Sequence, residues 1–306
     1  MTLARVTARV PAKINLSLSV GPLRPDGFHE LVTLYQAIAL FDDVTVTLKP
    51  KDERSTVEVS GEYATSVPLD ESNLAYRAAM RVLEAYEDDS AFAISIRKSI
   101  PVAAGLAGGS ADAAGALLAM DTLLGGQLGK NELHLLAAEL GSDVPFALIG
   151  NIALGRGRGE EITPALSRGE FHWVLGISNQ GLSTPAVYKE SDRLREGMTV
   201  SAPRISERLM HALLSGEPEE LGKNLSNDLA PAALSLRPGL RLVLDIAAEY
   251  AALGAIVSGS GPTIAILARD EEHSLDIAVA LTASGVVNNV ARALGPVAGA
   301  RIIESK

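Results

Sequence analysis

The sequence predicts an α+β protein in two lobes. Period-2 strands dominate residues 3–60, helical spacing takes over at Asn73, and a second mixed region begins near Gly155. Strands and helices mingle without strict βαβ alternation, which argues against a doubly wound parallel sheet. At 306 residues the chain can fill two domains with a sizeable core. We expect an N-terminal lobe over 1–155 and a C-terminal lobe over 156–306.

The first strands are the clearest. Alternation begins at Leu3 and runs to Val10, and Ile14, Leu16, Leu18 and Val20 then alternate with Asn15, Ser17 and Ser19. Val44, Val46 and Leu48 repeat the pattern, and residues 56–60 form another short strand. Leu74, Ala78, Val82 and Tyr86 put one apolar stripe on a helix over 73–87. A strand over 92–100 feeds a glycine-rich loop, and helices follow over 110–124 and 132–140, the second with Asn131 as its expected N-cap. Residues 141–150 read as a turn and a helix, and a strand begins at Asn151. Further on come a strand over 171–177, helices through much of 185–250, a strand-turn-strand unit over 255–267, a helix near 272–284 and a last strand near 286–293.

Composition narrows the function. A 47% hydrophobic, 21% charged chain is an ordinary globular one, and its net charge of −10 argues against a nucleic-acid surface. The absence of cysteine excludes disulfides, thiolate nucleophiles and cysteine-based metal sites. No apolar stretch is long enough for a membrane span and no export signal stands out, so a cytoplasmic location is expected.

The glycine loop is PVAAGLAGGSADAAG, from Pro101 to Gly115. Gly105, Gly108 and Gly109 let the backbone approach an anion, and the helix that follows offers N–H groups without intrahelical acceptors. Between Gly105 and Ser110 the one large side chain is Leu106. Ser110, at the expected helix start, can cap the helix or reach a phosphate or its metal ion. A plain strand-to-helix turn is the alternative. A Walker loop is excluded, because before Gly129-Lys130 Leu124 stands where the first Gly should be and after it Asn131 where Ser or Thr should be; a G-x-G-x-x-G loop is excluded too, since Gly155, Gly157 and Gly159 run as G-x-G-x-G.

Other short segments carry chemistry-bearing side chains, each with a plainer reading beside it. Lys13 and Asn15 share one face of the first strand, either solvated or lining a polar site. Asp26-Gly27 makes a turn before Phe28 and His29, where the ring of Phe28 offers a flat face to an aromatic base. Asp143 precedes Pro145, as a helix N-cap or as a general base balanced by a nearby lysine. Thr184 and Tyr188 stand one helical turn apart. Ser258-Gly-Ser-Gly-Pro-Thr263 is a chain reversal or a second source of N–H groups for an anion.

The order of these pieces resembles the GHMP kinase superfamily: P-x-K-x-N-L early, P-x-x-x-G-L-x-G-G-S in the middle, S-G-S-G-P-T late. P-A-K-I-N-L, D-G-F-H-E-L, G-G-S-x-D-A-A, L-G-S-D-V-P-F and S-T-P-x-V-Y are similar to the branch of 4-diphosphocytidyl-2-C-methyl-D-erythritol kinases, from Pro11 to Thr263. The resemblance implies a ribosomal-protein-S5-like N-terminal lobe, a ferredoxin-like C-terminal lobe and a substrate cleft between them. It implies ATP and Mg²⁺ as cofactors, and transfer of the γ-phosphoryl group to the 2-hydroxyl of the cytidyl substrate in the non-mevalonate isoprenoid pathway. By the same resemblance Lys13 and Asp143 are catalytic, and Asn15, His29 and Thr184 make polar substrate contacts. Phe28 and Tyr188 enclose the cytosine. The triphosphate follows Pro101, Gly105, Leu106, Ala107, Gly108, Gly109 and Ser110, with Ser110 as the metal contact, and the adenine lies near Asn73 and Leu74. A monomer or weak homodimer is expected.

The chain departs from the branch at three places. Ala107 replaces a usual Gly, which a negative φ would tolerate. Ala111 replaces a frequent Ser, and Phe28 a commoner Tyr. The rival readings are a homoserine or mevalonate kinase, an ATP-dependent diphosphomevalonate decarboxylase, and a silent binding protein. The D-G-F-H element and the ring pair favour a cytosine-bearing substrate.

Overall fold

The structure is a computed structural model describing residues 4–305; the alternation expected from Leu3 begins outside them. In chain order, β1 (Arg5–Leu23) and β2 (His29–Lys49) form a long hairpin around the Asp26-Gly27 turn. β3 (Thr56–Gly61) and β4 (Ala91–Lys98) pair in parallel, with α1 (Leu74–Tyr86) crossing between them. Then come α2 (Gly108–Leu123), α3 (Lys130–Leu140), α4 (Val144–Ile149), β5 (Ile152–Arg156) and β6 (Glu161–Pro164). β7 (Phe171–Ile177) precedes α5 (Thr184–Leu194), α6 (Glu207–Ser215), α7 (Pro218–Lys223), β8 (Ser226–Asn227), α8 (Ala230–Leu236) and α9 (Leu240–Glu249). β9 (Gly254–Val257), β10 (Ile264–Ala268), α10 (Glu271–Ser284), β11 (Asn289–Gly295) and β12 (Arg301–Ser305) complete the chain.

Two sheets result, as an α+β protein requires. The first runs β12-β1-β2-β4-β3, with β5 on β2, β6 on β5 and the two-residue β8 beside β1. The second is antiparallel in the order β11-β7-β10-β9. β7 connects their cores by its period of two. Phe171, Trp173 and Leu175 join the large cluster that holds Ile14, Leu16 and Ile96, whereas Val174 faces the cluster under α9 and α10. The indole N–H of Trp173 donates to Gln36 Oε1 of β2 at 2.8 Å, satisfying a fully buried donor across the two sheets.

Several boundaries differ from expectation. α3 starts at Lys130, and Asn131 does not cap it; instead Glu132 Oε2 accepts the Gly129 N–H at 2.7 Å. α2 starts two residues before Ser110, so Ser110 is its third residue and not its cap. The cap position belongs to Ala107, whose φ of +58° is left-handed, so the negative φ that would readily tolerate its methyl is not the one it adopts. The last strand falls on 289–295, and β12 was not anticipated: it returns the chain to the edge of β1.

The glycine loop is held by a second glycine-rich turn, between β9 and β10. Ser258 Oγ donates to the Gly105 carbonyl at 2.9 Å, and the Thr263 N–H to the Ala104 carbonyl at 3.3 Å. On the other side the Lys13 N–H donates to the Leu106 carbonyl at 3.1 Å. Gly105 itself has φ +79°, and a Cβ there would stand 2.1 Å from the Ser258 carbonyl oxygen. Only glycine allows this approach.

Beneath the loop lies a closed charge cluster. Lys98 Nζ sits 2.5 Å from Asp42 and 2.6 Å from Asp112, all three essentially inaccessible. Asp42 also accepts the N–H groups of Ser99 and Ile100 at 2.6 and 2.8 Å, fixing the entry to the loop. Burial drives the Asp112 carboxyl well above its ordinary value; Lys98 opposes this and Asp42 reinforces it. A protonated Asp112 leaves Lys98 and Asp42 as one neutral pair, the favourable charge state for a dry site.

Substitutions in this loop and its support test the roles assigned to them. Gly105→Ala should cost about 3 kcal/mol or more, from left-handed strain plus the clash with Ser258. Ala107→Gly should gain about 0.5 kcal/mol, relief of the left-handed methyl slightly outweighing the extra chain entropy. Urea unfolding of both variants checks the contrast. For Asp112, the native state keeps a proton across a window from about pH 4, the ordinary Asp value, up to its raised folded value. Stability falls as pH rises through that window, by up to about 1.4 kcal/mol per pH unit. Asp112→Asn should flatten that slope in urea titrations run at successive pH values; an unchanged slope would remove Asp112 as its source.

Candidate active site

Lys13 is where the site begins. β1 is long and irregular, with register shifts against β2 after Pro11 and again between Asn15 and Ser17. Pro11 has no N–H to give the ladder, and bulges of this kind re-aim side chains. Lys13 and Asn15 share a face, as alternation demands, while Ile14 and Leu16 enter the core. That polar face is not solvated: Lys13 is 6% and Asn15 2% exposed. Lys13 Nζ donates to Asn15 Oδ1 at 2.7 Å, Asn15 Nδ2 to Thr33 Oγ1 at 2.7 Å, and Thr33 Oγ1 to the Ser17 carbonyl at 2.8 Å.

The remaining charge on Lys13 is met by Asp143. Its Oδ2 lies 3.7 Å from Nζ, with the Asp143 side chain about a third exposed. Asp143 occupies the N-cap position of α4, with Pro145 in the first turn, yet its carboxylate makes no capping bond. The local signal for a cap is therefore real in position and unused in chemistry. Tyr35, across from Asn15 on β2, completes the floor of this corner.

These groups line a cleft of about 870 Å³. One wall is the loop, with Gly105, Ala107, Gly108, Gly109 and Ser110, and Leu74 at the start of α1. The first bond of α2 runs from the Ala111 N–H to the Ala107 carbonyl at 2.9 Å. The N–H groups of Gly108, Gly109 and Ser110 thus have no acceptor within the helix, the arrangement that favours an anion. The opposite wall comes from Thr184, Tyr188 and the Gly259–Gly261 turn. Thr184 Oγ1 and Ser260 Oγ are 2.9 Å apart. That turn spends the Ser258 and Gly261 N–H groups on its own closure, each at 2.9 Å.

Aromatic groups gather at the far end. His29 Nδ1 donates to the Gly21 carbonyl at 2.9 Å, and Tyr188 stacks on the imidazole with ring centroids 5.3 Å apart. Burial, and then the charge of Asp143, raises the Tyr188 phenol far above its ordinary value. Phe28 is half exposed, with the Arg158 guanidinium 5.0 Å from its ring centroid.

Most residues singled out in the sequence meet in this cleft: Lys13, Asn15, Phe28, His29, Leu74, Asp143, Thr184, Tyr188 and the loop from Gly105 to Ser110 without Leu106. Three do not line it. Leu106 is buried in the core and Pro101 is buried at the loop entry. The Asn73 amide is committed to α1, accepting the Ala75 N–H at 2.8 Å and donating to the Pro68 carbonyl at 2.7 Å. Conversely Tyr35, Arg158 and Lys189 line the cleft without having been singled out. Tyr35 reads as an ordinary core position in an alternating strand, and only its register against Asn15 brings it here.

As for metal ions, no cluster of three or more His, Asp or Glu side chains fit to hold one occurs among the described residues. Asp112, which precedes Ala113 in the G-G-S-x-D-A-A run, is turned under the loop to Lys98 and faces no solvent. Ser110 offers one hydroxyl at the cleft wall. Such a sparse donor set fits Mg²⁺ bound chiefly by phosphate oxygens and water, the usual state of that ion beside nucleotides. No helix among the described residues is long and apolar enough to cross a membrane.

Comparison with known proteins agrees with the geometry. The GHMP kinases N terminal domain matches residues 73–151 and the GHMP kinases C terminal domain residues 209–287. The 4-diphosphocytidyl-2-C-methyl-D-erythritol kinase of Mycolicibacterium smegmatis is 50% identical over 305 residues, covering 99% of this chain and 94% of that one. A crystal structure of 4-(cytidine 5'-diphospho)-2C-methyl-D-erythritol kinase superposes with a TM-score of 0.75 at 34% identity, over 94% of this chain and 99% of that one. A crystal structure of L. major mevalonate kinase in complex with R-mevalonate superposes with a TM-score of 0.76 over 95% and 96% of the two chains, but at 17% identity it speaks for the fold alone. The chain belongs to the GHMP kinases, and within them to the family of 4-diphosphocytidyl-2-C-methyl-D-erythritol kinases.

Proposed function

We infer that this chain is an ATP-dependent small-molecule kinase that phosphorylates 4-diphosphocytidyl-2-C-methyl-D-erythritol, on its 2-hydroxyl, as a step of non-mevalonate isoprenoid biosynthesis. The observation that carries the reading is the Lys13–Asp143 pair at 3.7 Å on the floor of a cleft walled by the glycine loop. Residues 1–155 hold the nucleotide in this reading, and the substrate enters between them and residues 156–306.

Phosphoryl transfer asks a protein mainly for positioning and for charge neutralisation. The free N–H groups at the start of α2 receive the triphosphate, with Ser110 beside it and Leu74, next to Asn73, toward the adenine. Ser110 would be the protein contact of a Mg²⁺ ion, which would supply further neutralisation of the triphosphate. Asp143 accepts the proton of the attacking hydroxyl. Lys13, anchored by Asn15, balances Asp143 and steadies the γ-phosphate or the emerging alkoxide. Thr184, Asn15 and His29 hold the polar parts of the substrate, and Phe28 and Tyr188 contact the cytosine face to face. The chain is acidic, so its positive groups must act locally; Lys13, Arg158 and Lys189 line the cleft.

Asp143→Asn should lower kcat by about 10²–10⁴-fold with ATP affinity nearly intact, measured by coupled ADP release and by calorimetric titration with nucleotide. Near-normal turnover would end the assignment. In the same assay the unmodified protein should turn over diphosphocytidyl-methylerythritol and leave homoserine and mevalonate untouched; ADP release with either of those, or CO₂ from diphosphomevalonate, would move it to another branch. Tyr188→Ala should act chiefly on KM for the cytidyl substrate, and a pure kcat effect would count against stacking there.

A further inference from the structure

Helix α5 brings Thr184 and Tyr188 to the cleft, yet little apolar surface holds it there. Of its 11 residues only Val187 and Ser191 are buried. Val187 enters a small cluster with Leu18, Val20 and Leu31 of the β1–β2 hairpin and with Leu229 and Ala232. An apolar contact of that size is non-directional and leaves the helix free to roll. Direction comes from hydrogen bonds along α5. Thr184 meets Ser260 at its start at 2.9 Å, Ser235 Oγ of α8 donates to Glu190 Oε1 at 2.6 Å, and Arg195 stands at its C-cap.

Arg195 reaches β1 where the ladder gives out. The register of β1 against β2 shifts between Val20 and Leu23, and side chains hold the backbone there instead. Arg195 Nη1 donates to the Val20 carbonyl at 3.0 Å, and Asp228 Oδ2 accepts the Val20 N–H at 2.9 Å. Arg195 Nη2 lies 3.4 Å from the Asp228 carboxylate and donates to the Asp228 carbonyl at 3.4 Å, so an ion pair brackets one residue of β1. The next carbonyl along the strand, that of Gly21, accepts from His29 Nδ1 at 2.9 Å. The imidazole stacks on Tyr188 with planes at 26°, and its Nε2 is 3.3 Å from Asp192 Oδ1; both partners belong to α5. The contacts close a ring, from α5 through Arg195 to Val20 and Gly21, on to His29, and back to Tyr188.

We propose that Arg195 is a positioning residue for the aromatic end of the cleft: by tying the C-terminus of α5 to Val20 it fixes Tyr188 and His29 against each other, and so sets how tightly the cleft grips the base of its substrate. The inference rests on Tyr188 contacting the cytosine. Arg195 stands outside the lining of the cleft, so its effect passes through the rings it holds. Rings already ordered before binding cost the substrate less entropy than rings that must be ordered by it. The Lys13–Asp143 corner and the glycine loop make no contact with Arg195 among its hydrogen bonds, so the effect falls on binding of the base and not on transfer.

The test is a double-mutant cycle on kcat and KM with the native substrates. Arg195→Met keeps the aliphatic stem and removes the guanidinium. It should raise KM for the cytidyl substrate by about 5- to 20-fold, the loss for a half-exposed hydrogen bond to a charged group, while kcat and KM for ATP stay within about two-fold. In the Tyr188→Ala background the same change should cost less than about two-fold, because the ring it positions is gone. A KM for Arg195→Met within about two-fold of the unmodified enzyme overturns the proposal. So does an equal rise in both backgrounds, or a fall in kcat with KM unchanged, since either marks an effect that does not pass through Tyr188. Should urea titration show Arg195→Met to be unfolded, Arg195→Lys, which keeps the charge and loses the fork, is judged by the same limits. If Tyr188→Ala leaves KM for the cytidyl substrate unchanged, the cytosine contact falls and takes this inference with it. A raised KM for Tyr188→Ala beside an unaffected Arg195→Met sinks the inference alone.

Discussion

The cleft depends on the requirement that a buried ammonium be fully occupied. Lys13 is almost sealed from water, and a lysine in that position loses its charge or its place unless every side of the ammonium is met. Here Asn15 takes one hydrogen bond at 2.7 Å, Asp143 balances the charge at 3.7 Å, and the face of Tyr35 lies 5.6 Å away. The same residue's backbone N–H holds the Leu106 carbonyl of the glycine loop. One residue therefore ties β1, β2, the start of α4 and the glycine loop to a common origin, and the distances among the groups that line the cleft follow from its position.

A second lysine makes the contrast instructive. Lys98 is as deeply buried, but it is closed off by Asp42 and Asp112 and has no opening to the cleft. Its two carboxylates reach the loop from below, Asp42 through the N–H groups of Ser99 and Ile100, Asp112 through α2. Lys98 fixes where the loop starts. Lys13 faces what the loop holds. In this acidic chain the two buried lysines thus have separate places, one under the loop and one at the cleft, and the N–H groups at the start of α2 add positive potential of their own.

Much of this was legible in the sequence because it depends on local pattern. Period-2 alternation revealed strand within β1 and at the end of β2, and the run of glycines revealed the loop, because each of these needs particular residue types at particular places. β7 was read to the residue, as a β-rich apolar run between turn signals. What escaped depends on contacts distant in sequence. β8 has two residues and no pattern of its own, and β12 earns its place only through β1. Asn131 looked like a cap, but the Glu132 side chain already satisfied the helix start at Gly129. Tyr35 is the plainest case: nothing near it in sequence separates a core tyrosine from one at the cleft, since Phe146, Gly155 and Gly159, which pack against it, are all more than a hundred residues away.

Ala107 shows how far a locally unfavourable residue can be carried by such distant contacts. A methyl group in the left-handed region costs about 1–2 kcal/mol, and glycine would remove that cost. The loop nevertheless has no freedom to relax toward negative φ. Gly105, two residues earlier, is pinned by Ser258 and shaped around its carbonyl, and Leu106 between them is buried and bonded to Lys13. Two residues later the chain must already be helical, so that the N–H groups of Gly108, Gly109 and Ser110 point together into the cleft. With both ends fixed, position 107 takes the one conformation that joins them, whatever its side chain. The geometry of the loop is thus set by the turn between β9 and β10 and by Lys13, and the glycines of the loop permit that geometry without determining it.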